Sequence, residues 1–221
     1  MPEDAERRSP VHDLLTYRNP QWGRVAGAPI ALRFGDGEAE AARELALCDL
    51  SALPKLGLKG AGAEGWLRRH EIEMPPATYD TARLPDGGLI ARLGGADFFL
   101  EGGPSDGVLP RLAAVPADVY RVERQDATFL LSGARALRVL ARLSSIDFAT
   151  APPRRLVLTG AGGVNCGVLP DVGGGVPVYR TWVDFTYAAS FWESVVEIAE
   201  ELGGRVVGAA CVYPELAAGR R

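Results

Sequence analysis

The 221-residue chain has little of what usually announces a reactive or metal-holding protein: three cysteines, two histidines and two methionines. Cys48, Cys166 and Cys211 are odd in number and widely spaced, and each lies among apolar residues. That pattern suits reduced core thiols and speaks against a disulfide framework or a zinc knuckle. His12 and His70 stand alone without metal-ligand spacing, so no metal site is expected. Dense Lys/Arg runs are also missing and the formal net charge is -4. Phosphate binding needs a positive field to displace counterions, so no nucleic acid partner is expected. The first ten residues, MPEDAERRSP, hold acids, arginines and prolines where a secretory signal would place an apolar core. A cytoplasmic protein with no membrane span is the expectation.

What is present is ordinary globular composition, 47% hydrophobic and 24% charged, in a chain long enough for one large or two small cores. Residues 1–34 are rich in Pro, Arg and Gly and have little periodicity, which reads as an extended arm lying on the body or on a partner. A short helix is expected over 38–47 and a strand over 56–59 running into Gly60. A helix with Trp66 and Leu67 on its apolar side follows, then a hairpin of 89–93 and 97–100, a helical turn at 109–114 and a closing strand at 119–123. The order is βαββαβ, the ferredoxin-like plan in which two helices cover one face of an antiparallel sheet.

The second half repeats that order with clearer signals. A strand at 128–131 precedes a helix at 134–143 striped by Ala136, Leu137, Leu140 and Leu143. Strands are expected at 156–159, 164–169 and 178–183. Ser190 and Glu193 then form a capping box ahead of Phe191, Val195, Ile198, Ala199 and Leu202 at helical spacing, and Gly203 and Gly204 end that helix. A closing strand is expected over 206–212. The resulting fold class is α+β, with an arm over 1–34, a first lobe over 35–124 and a second over 125–221.

Few residues offer chemistry. Thr159 to Val164, TGAGGV, falls short of a dinucleotide fingerprint because Asn165 replaces the third glycine and Val164 to Leu169 alternates like a strand; a hairpin turn is expected there and another at Asp171 to Gly175. Glu193, Glu197, Glu200 and Glu201 read as a solvated helix face. Asp126 and Asp184 flank strands and suit backbone capping, with binding of a ligand nitrogen as the second reading. Trp182, Tyr187, Phe191 and Trp192 cluster around the start of the last helix, as core or as a partner surface. Ser144 and Ser145 have no nearby histidine and no nucleophile-elbow glycines.

Four segments together resemble a known family: CDLSALPKLGLKG (48–60), RQDATFLLSGARALRVL (124–140), SIDF (145–148) and YRTWVDFTYAASFWESVVEIAEELGG (179–204). Over about residues 45–207 the chain is similar to the gamma subunit of heterotetrameric sarcosine oxidase, itself related to the aminomethyltransferase of the glycine cleavage system. The resemblance implies a folate-binding-type fold in two lobes, without the transferase's C-terminal barrel. It also implies a complex that demethylates sarcosine oxidatively to glycine and passes the one-carbon unit to tetrahydrofolate. FAD, FMN, NAD and tetrahydrofolate are then expected on other subunits, the partners being a large alpha-type subunit with a folate domain, a flavin-binding beta-type subunit and a small delta-type subunit. The transferase carries its catalytic Asp in a GGxxDD segment. Here the matching stretch ends in Ala91 and Arg92, so no catalytic, cofactor-binding or metal residue is expected in this chain. Two other readings stay open: a free-standing folate-binding or regulatory protein, and a companion of a dehydrogenase acting on another N-methyl amine.

Overall fold

The structure, a computed structural model, describes residues 7–105 and 107–218. In chain order the elements are α1 (His12–Thr16), β1 (Gln21–Val25), β2 (Ala28–Arg33), α2 (Glu38–Glu44), β3 (Ala46–Asp49), β4 (Lys55–Lys59), α3 (Ala63–Arg69), β5 (Thr81–Arg83), β6 (Leu89–Gly94), β7 (Asp97–Glu101) and β8 (Tyr120–Val122). There follow β9 (Ala127–Ser132), α4 (Ala136–Leu143), β10 (Val157–Ala161), β11 (Val164–Gly173), β12 (Val176–Val183), α5 (Ala188–Glu201), β13 (Arg205–Val206) and α6 (Glu215–Ala218). The chain divides into two compact units, one of Met1–Ala52, Asp126–Pro153 and Val157–Arg221, the other of Leu53–Gln125 and Arg154–Leu156. It is an α+β protein. Among the described residues no helix is long and apolar enough to cross a membrane.

The smaller unit is built on a five-stranded antiparallel sheet in the order β5-β6-β7-β4-β8. Successive side chains of a strand point to opposite faces, so Leu56 and Leu58 of β4 share one face with Ile90, Phe98 and Leu100. That face packs against Ala63 and Leu67 of α3. The helical turn expected near 109 is a single 3-10 turn, Leu109–Leu112, with Pro110 at its start. Strand β5 was not foreseen; it adds an edge beside β6.

The larger unit holds a six-stranded sheet in the order β10-β11-β12-β9-β3-β13, with α4 and α5 on one face. Phe129 and Leu131 of β9 and Tyr179 and Val183 of β12 meet Val139, Leu140, Phe191, Trp192 and Val195 there. Both tight hairpins form. Gly162 and Gly163 link β10 to β11, and Gly174 and Gly175 link β11 to β12, all four with positive φ between 57° and 82°. Two consecutive positive φ values are what a type I′ turn requires, and its twist matches that of the flanking strands. Asp171 lies inside β11, paired with Val178, so the second turn is narrower than expected.

The structure corrects several other expectations. The 1–34 segment is no extended arm: Leu15 of α1 is buried, and β1 and β2 pair as an antiparallel hairpin; Met1–Glu6 lie outside the described residues. The helix expected over 38–47 stops at Glu44, and the next residues form β3. That strand pairs antiparallel with β9 and parallel with β13, so it belongs to the larger unit's sheet and not to the first lobe. It takes the place beside β9 that a ferredoxin-like plan reserves for the closing strand. The closing strand shrinks to Arg205–Val206, and Ala209–Cys211 is a 3-10 turn. The capping box does not form: α5 begins at Ala188, and Ser190 Oγ donates to the Tyr187 carbonyl at 3.0 Å. The stop does form. Gly203, at φ 75°, donates to the Glu200 carbonyl at 2.9 Å and Gly204 to Ala199 at 2.7 Å, a Schellman closure.

Candidate functional site

The sequence resemblance directs attention to GGLIAR, residues 87–92, whose last four residues lie in β6. Strand alternation sends Ile90 and Arg92 toward the α3 side of the sheet and Ala91 to the other face. Ala91 is fully buried between its sheet partners Thr81 and Phe99. Arg92 is wholly engaged in holding its own unit together. Its Nε donates to the Pro75 carbonyl at 2.8 Å, its Nη2 to Glu64 Oε2 at 3.1 Å, and its guanidinium lies 5.0 Å from the Phe98 ring centroid. Hydrogen bonds first from Arg68 and then from Arg92 hold the Glu64 carboxyl below the usual range. A guanidinium pinned this way ties α3, the 75 loop and β6 together.

A second charged pair on this sheet escaped the sequence reading. Lys55 and Glu101 face each other across β4 and β7 with 3.7 Å between Nζ and Oε2, their side chains 2% and 0% exposed. Lys55 Nζ also donates to the Leu53 carbonyl at 3.1 Å. Charged side chains this deeply buried are held by their partners. The available signal was weak: a Lys at one strand start and a Glu at another strand end become opposite only once the register is known.

The remaining candidates resolve one by one. Cys48 and Cys166 are buried, Cys211 is half-buried and all three are free thiols. Burial, then the Asp49 carboxylate, pushes the Cys48 thiol well above its ordinary value. Burial pushes Cys166 up to about 11. Cys211 also rises to about 11, through burial and then Glu38, whose Oε2 accepts from its Sγ at 3.5 Å. The thiolate is the reactive form, so none of the three is a nucleophile at neutral pH. Iodoacetamide at pH 8 is therefore expected to leave the native chain unmodified over an interval in which urea-unfolded chain takes up three labels. Rapid native labelling at any of the three, read by intact mass, would contradict this assignment.

His12 stacks on Trp22 at 4.4 Å between centroids, and His70 Nδ1 lies 3.0 Å from the Trp66 carbonyl. Among the described residues no group of three His, Cys, Asp or Glu side chains is placed to hold a metal ion. Ser144 Oγ lies 3.4 Å from Thr159 Oγ1 and meets no histidine. Asp184 caps as expected: its Oδ1 accepts from the Thr186 amide at 2.9 Å, and the Thr186 hydrogen bonds hold its carboxyl below the usual range. Asp126 is half-buried and forms no capping bond among the described residues. The four glutamates of α5 are exposed, Glu200 pairing with Arg18 and Glu201 with Arg142. The aromatic group divides. Trp182, Phe191 and Trp192 are buried, whereas Tyr187 and its neighbour Phe185 are exposed.

No family model matches the chain, and no curated protein matches it in sequence. Solved structures do share its fold. The glycine cleavage system aminomethyltransferase T from Bartonella henselae superposes with a TM-score of 0.73 at 15% identity, over 94% of this chain and 61% of that one. A chain of the heterotetrameric sarcosine oxidase from Corynebacterium sp. U-96, solved in complex with pyrrole 2-carboxylate, superposes with a TM-score of 0.64 at 16% identity, over 90% of this chain and 97% of that one. These are the two proteins to which the sequence resemblance pointed. The chain spans less than two thirds of the aminomethyltransferase's length. At these identities the comparison shows a shared α+β fold, and activity does not follow from fold.

Proposed function

We propose that this chain is a non-catalytic, gamma-type companion subunit of a heterotetrameric, flavin- and tetrahydrofolate-dependent sarcosine oxidase, and that it stabilises the large subunit. The observation that carries the reading is β6: a buried Ala91 and a fully engaged Arg92 stand where the transferase would need carboxylates to position folate and the reacting amine. Transfer chemistry needs a group that can accept or stabilise charge at the reacting atoms, and this strand supplies none. The near-complete coverage of a sarcosine oxidase chain supports a subunit of that size and fold. In this proposal FAD, FMN, NAD and tetrahydrofolate sit on the other subunits, the complex is cytoplasmic, and the two units descend from tandem βαββαβ lobes.

The test is to recover the tagged chain from its native host at endogenous level, identify its companions by mass spectrometry and record the absorbance of the fraction. A yellow complex with a large flavoprotein, active on sarcosine, is the expected result. The purified chain by itself is expected to transfer no one-carbon unit to tetrahydrofolate above the uncatalysed rate. A colourless, partner-free monomer that takes up tetrahydrofolate in calorimetry, with a matching rise in melting temperature, would replace this reading with a free-standing folate binder.

A further inference from the structure

Two exposed aromatic side chains share one 3-10 turn: Phe185 is 48% and Tyr187 56% exposed. The turn is firmly held. Asp184 Oδ1 accepts from the Thr186 amide at 2.9 Å and from the Thr186 hydroxyl at 2.5 Å, and Tyr187 N donates to the Asp184 carbonyl at 3.0 Å. Directly after it, Ala188, Phe191 and Trp192 are buried in the core and anchor the turn from below. Two aromatic rings presented on a rigid backbone lose little conformational freedom on association, which is why such residues dominate interface energetics.

The charge around these rings selects the partner. From Thr181 to Gly204 there is no Lys or Arg, while Asp184, Glu193, Glu197, Glu200 and Glu201 are present. Arg18 and Arg142 neutralise Glu200 and Glu201. No ion pair engages Asp184, Glu193 or Glu197 among the described residues. Ser190, Glu193 and Glu197 are exposed and follow at steps of three and four residues, so they line one side of α5 beyond the aromatic pair. Asp126 adds a further acid beside Asp184, because Val183 and Ala127 are the last pair of β12 and β9.

We infer that the Phe185–Tyr187 turn and the outward stripe of α5 form a protein-docking surface whose partner presents an apolar pocket rimmed by Arg or Lys. The aromatics supply the buried anchor and the acids the orientation and encounter rate. This assigns a face to the companion reading above and rests on that reading only for the partner's identity.

The deciding experiment recovers the tagged full chain from its native host as wild type, as Phe185→Ser/Tyr187→Ser and as Glu193→Lys/Glu197→Lys. Both double variants alter exposed side chains, so melting temperatures should stay at the wild-type value. Recovery of the flavoprotein is expected to fall about tenfold or more with the first and to fall clearly with the second. Wild-type recovery from the serine variant would overturn the docking surface and leave the companion reading standing. If wild type recovers no partner, the companion reading fails, and the surface is then decided on the isolated chain by amide NMR. A peptide alternating Arg and Leu should shift signals of residues 185–197, and one alternating Glu and Leu should not. The serine variant should abolish the shifts; no shift, or shifts elsewhere, would overturn the inference.

Discussion

Replacing Trp192 by alanine is expected to lower the free energy of unfolding by about 3–5 kcal/mol, the range for removing a large aromatic from a packed core. Trp192 is 2% exposed and its ring centroid lies 5.0 Å from that of Phe129, across the interface between α5 and β9. On α5 the buried positions Ala188, Phe191, Trp192, Val195, Val196 and Ala199 repeat at helical spacing, so the helix has one seam and Trp192 is its largest member. Truncation leaves a void that neighbours on two rigid elements cannot close. Native domains rest on about 5–15 kcal/mol in total, so the variant should be near the edge of foldability. Urea unfolding followed by circular dichroism measures it. A loss under about 1 kcal/mol would mean that α5 does not anchor the larger unit.

Ala91→Asp, which places an acid back in the GGLIAR stretch, is expected to destabilise the chain by roughly 3 kcal/mol or more at pH 7 and to produce no transfer activity. Ala91 is fully buried beside its sheet partner Phe99, so a carboxylate there would be dehydrated. The pH dependence separates this cause from a simple steric one. Desolvation raises the folded-state pKa of the new acid above its unfolded value of about 3.9, so the folded chain holds its proton longer. The extra penalty is absent below the unfolded value, grows as pH rises toward the folded one, and is constant above it. Melting temperatures of variant and wild type at pH 4 and pH 7 decide the point: a pH-independent gap would indicate steric strain. Gain of methylene transfer to tetrahydrofolate would show that β6 lines a working site and would sink the companion reading.

The parts of the fold that could be read from sequence were those with a local cause. The α5 stripe and the two-glycine turns each follow from a few consecutive residues, and Gly203 and Gly204 end α5 because only glycine closes a helix in the left-handed region at so little cost. The β1–β2 hairpin was missed because its turn is Ala26–Gly27, with φ of 47° and 78°. Alanine is an uncommon first residue for a type I′ turn, so the usual Asn-Gly signal was missing. Strand β3 was hidden for another reason: ALCD is too short to show a period, it is buried throughout, and it follows a helix without a break residue. Only tertiary pairing with β9 and β13 makes it a strand. At the candidate site, the absence of acids from GGLIAR could be read in the sequence. The structural role of Arg92 could not, since its clamp joins residues from three separate segments.

The placement of β3 also orders events on the ribosome. Residues 46–49 emerge early, but their partners are β9 and then β13, which is made nearly at the end of the described chain. Between them the chain makes β4 to β8, whose pairings are with one another. The sheet of the smaller unit can therefore condense during synthesis from contacts of modest sequence separation, with Arg154–Leu156 joining its edge later, while an apolar strand upstream waits for its neighbours. Sheets closed by distant segments fold slowly and expose sticky intermediates. The larger unit, not the smaller, is thus where translation speed and chaperone access govern how much nascent chain reaches its native state.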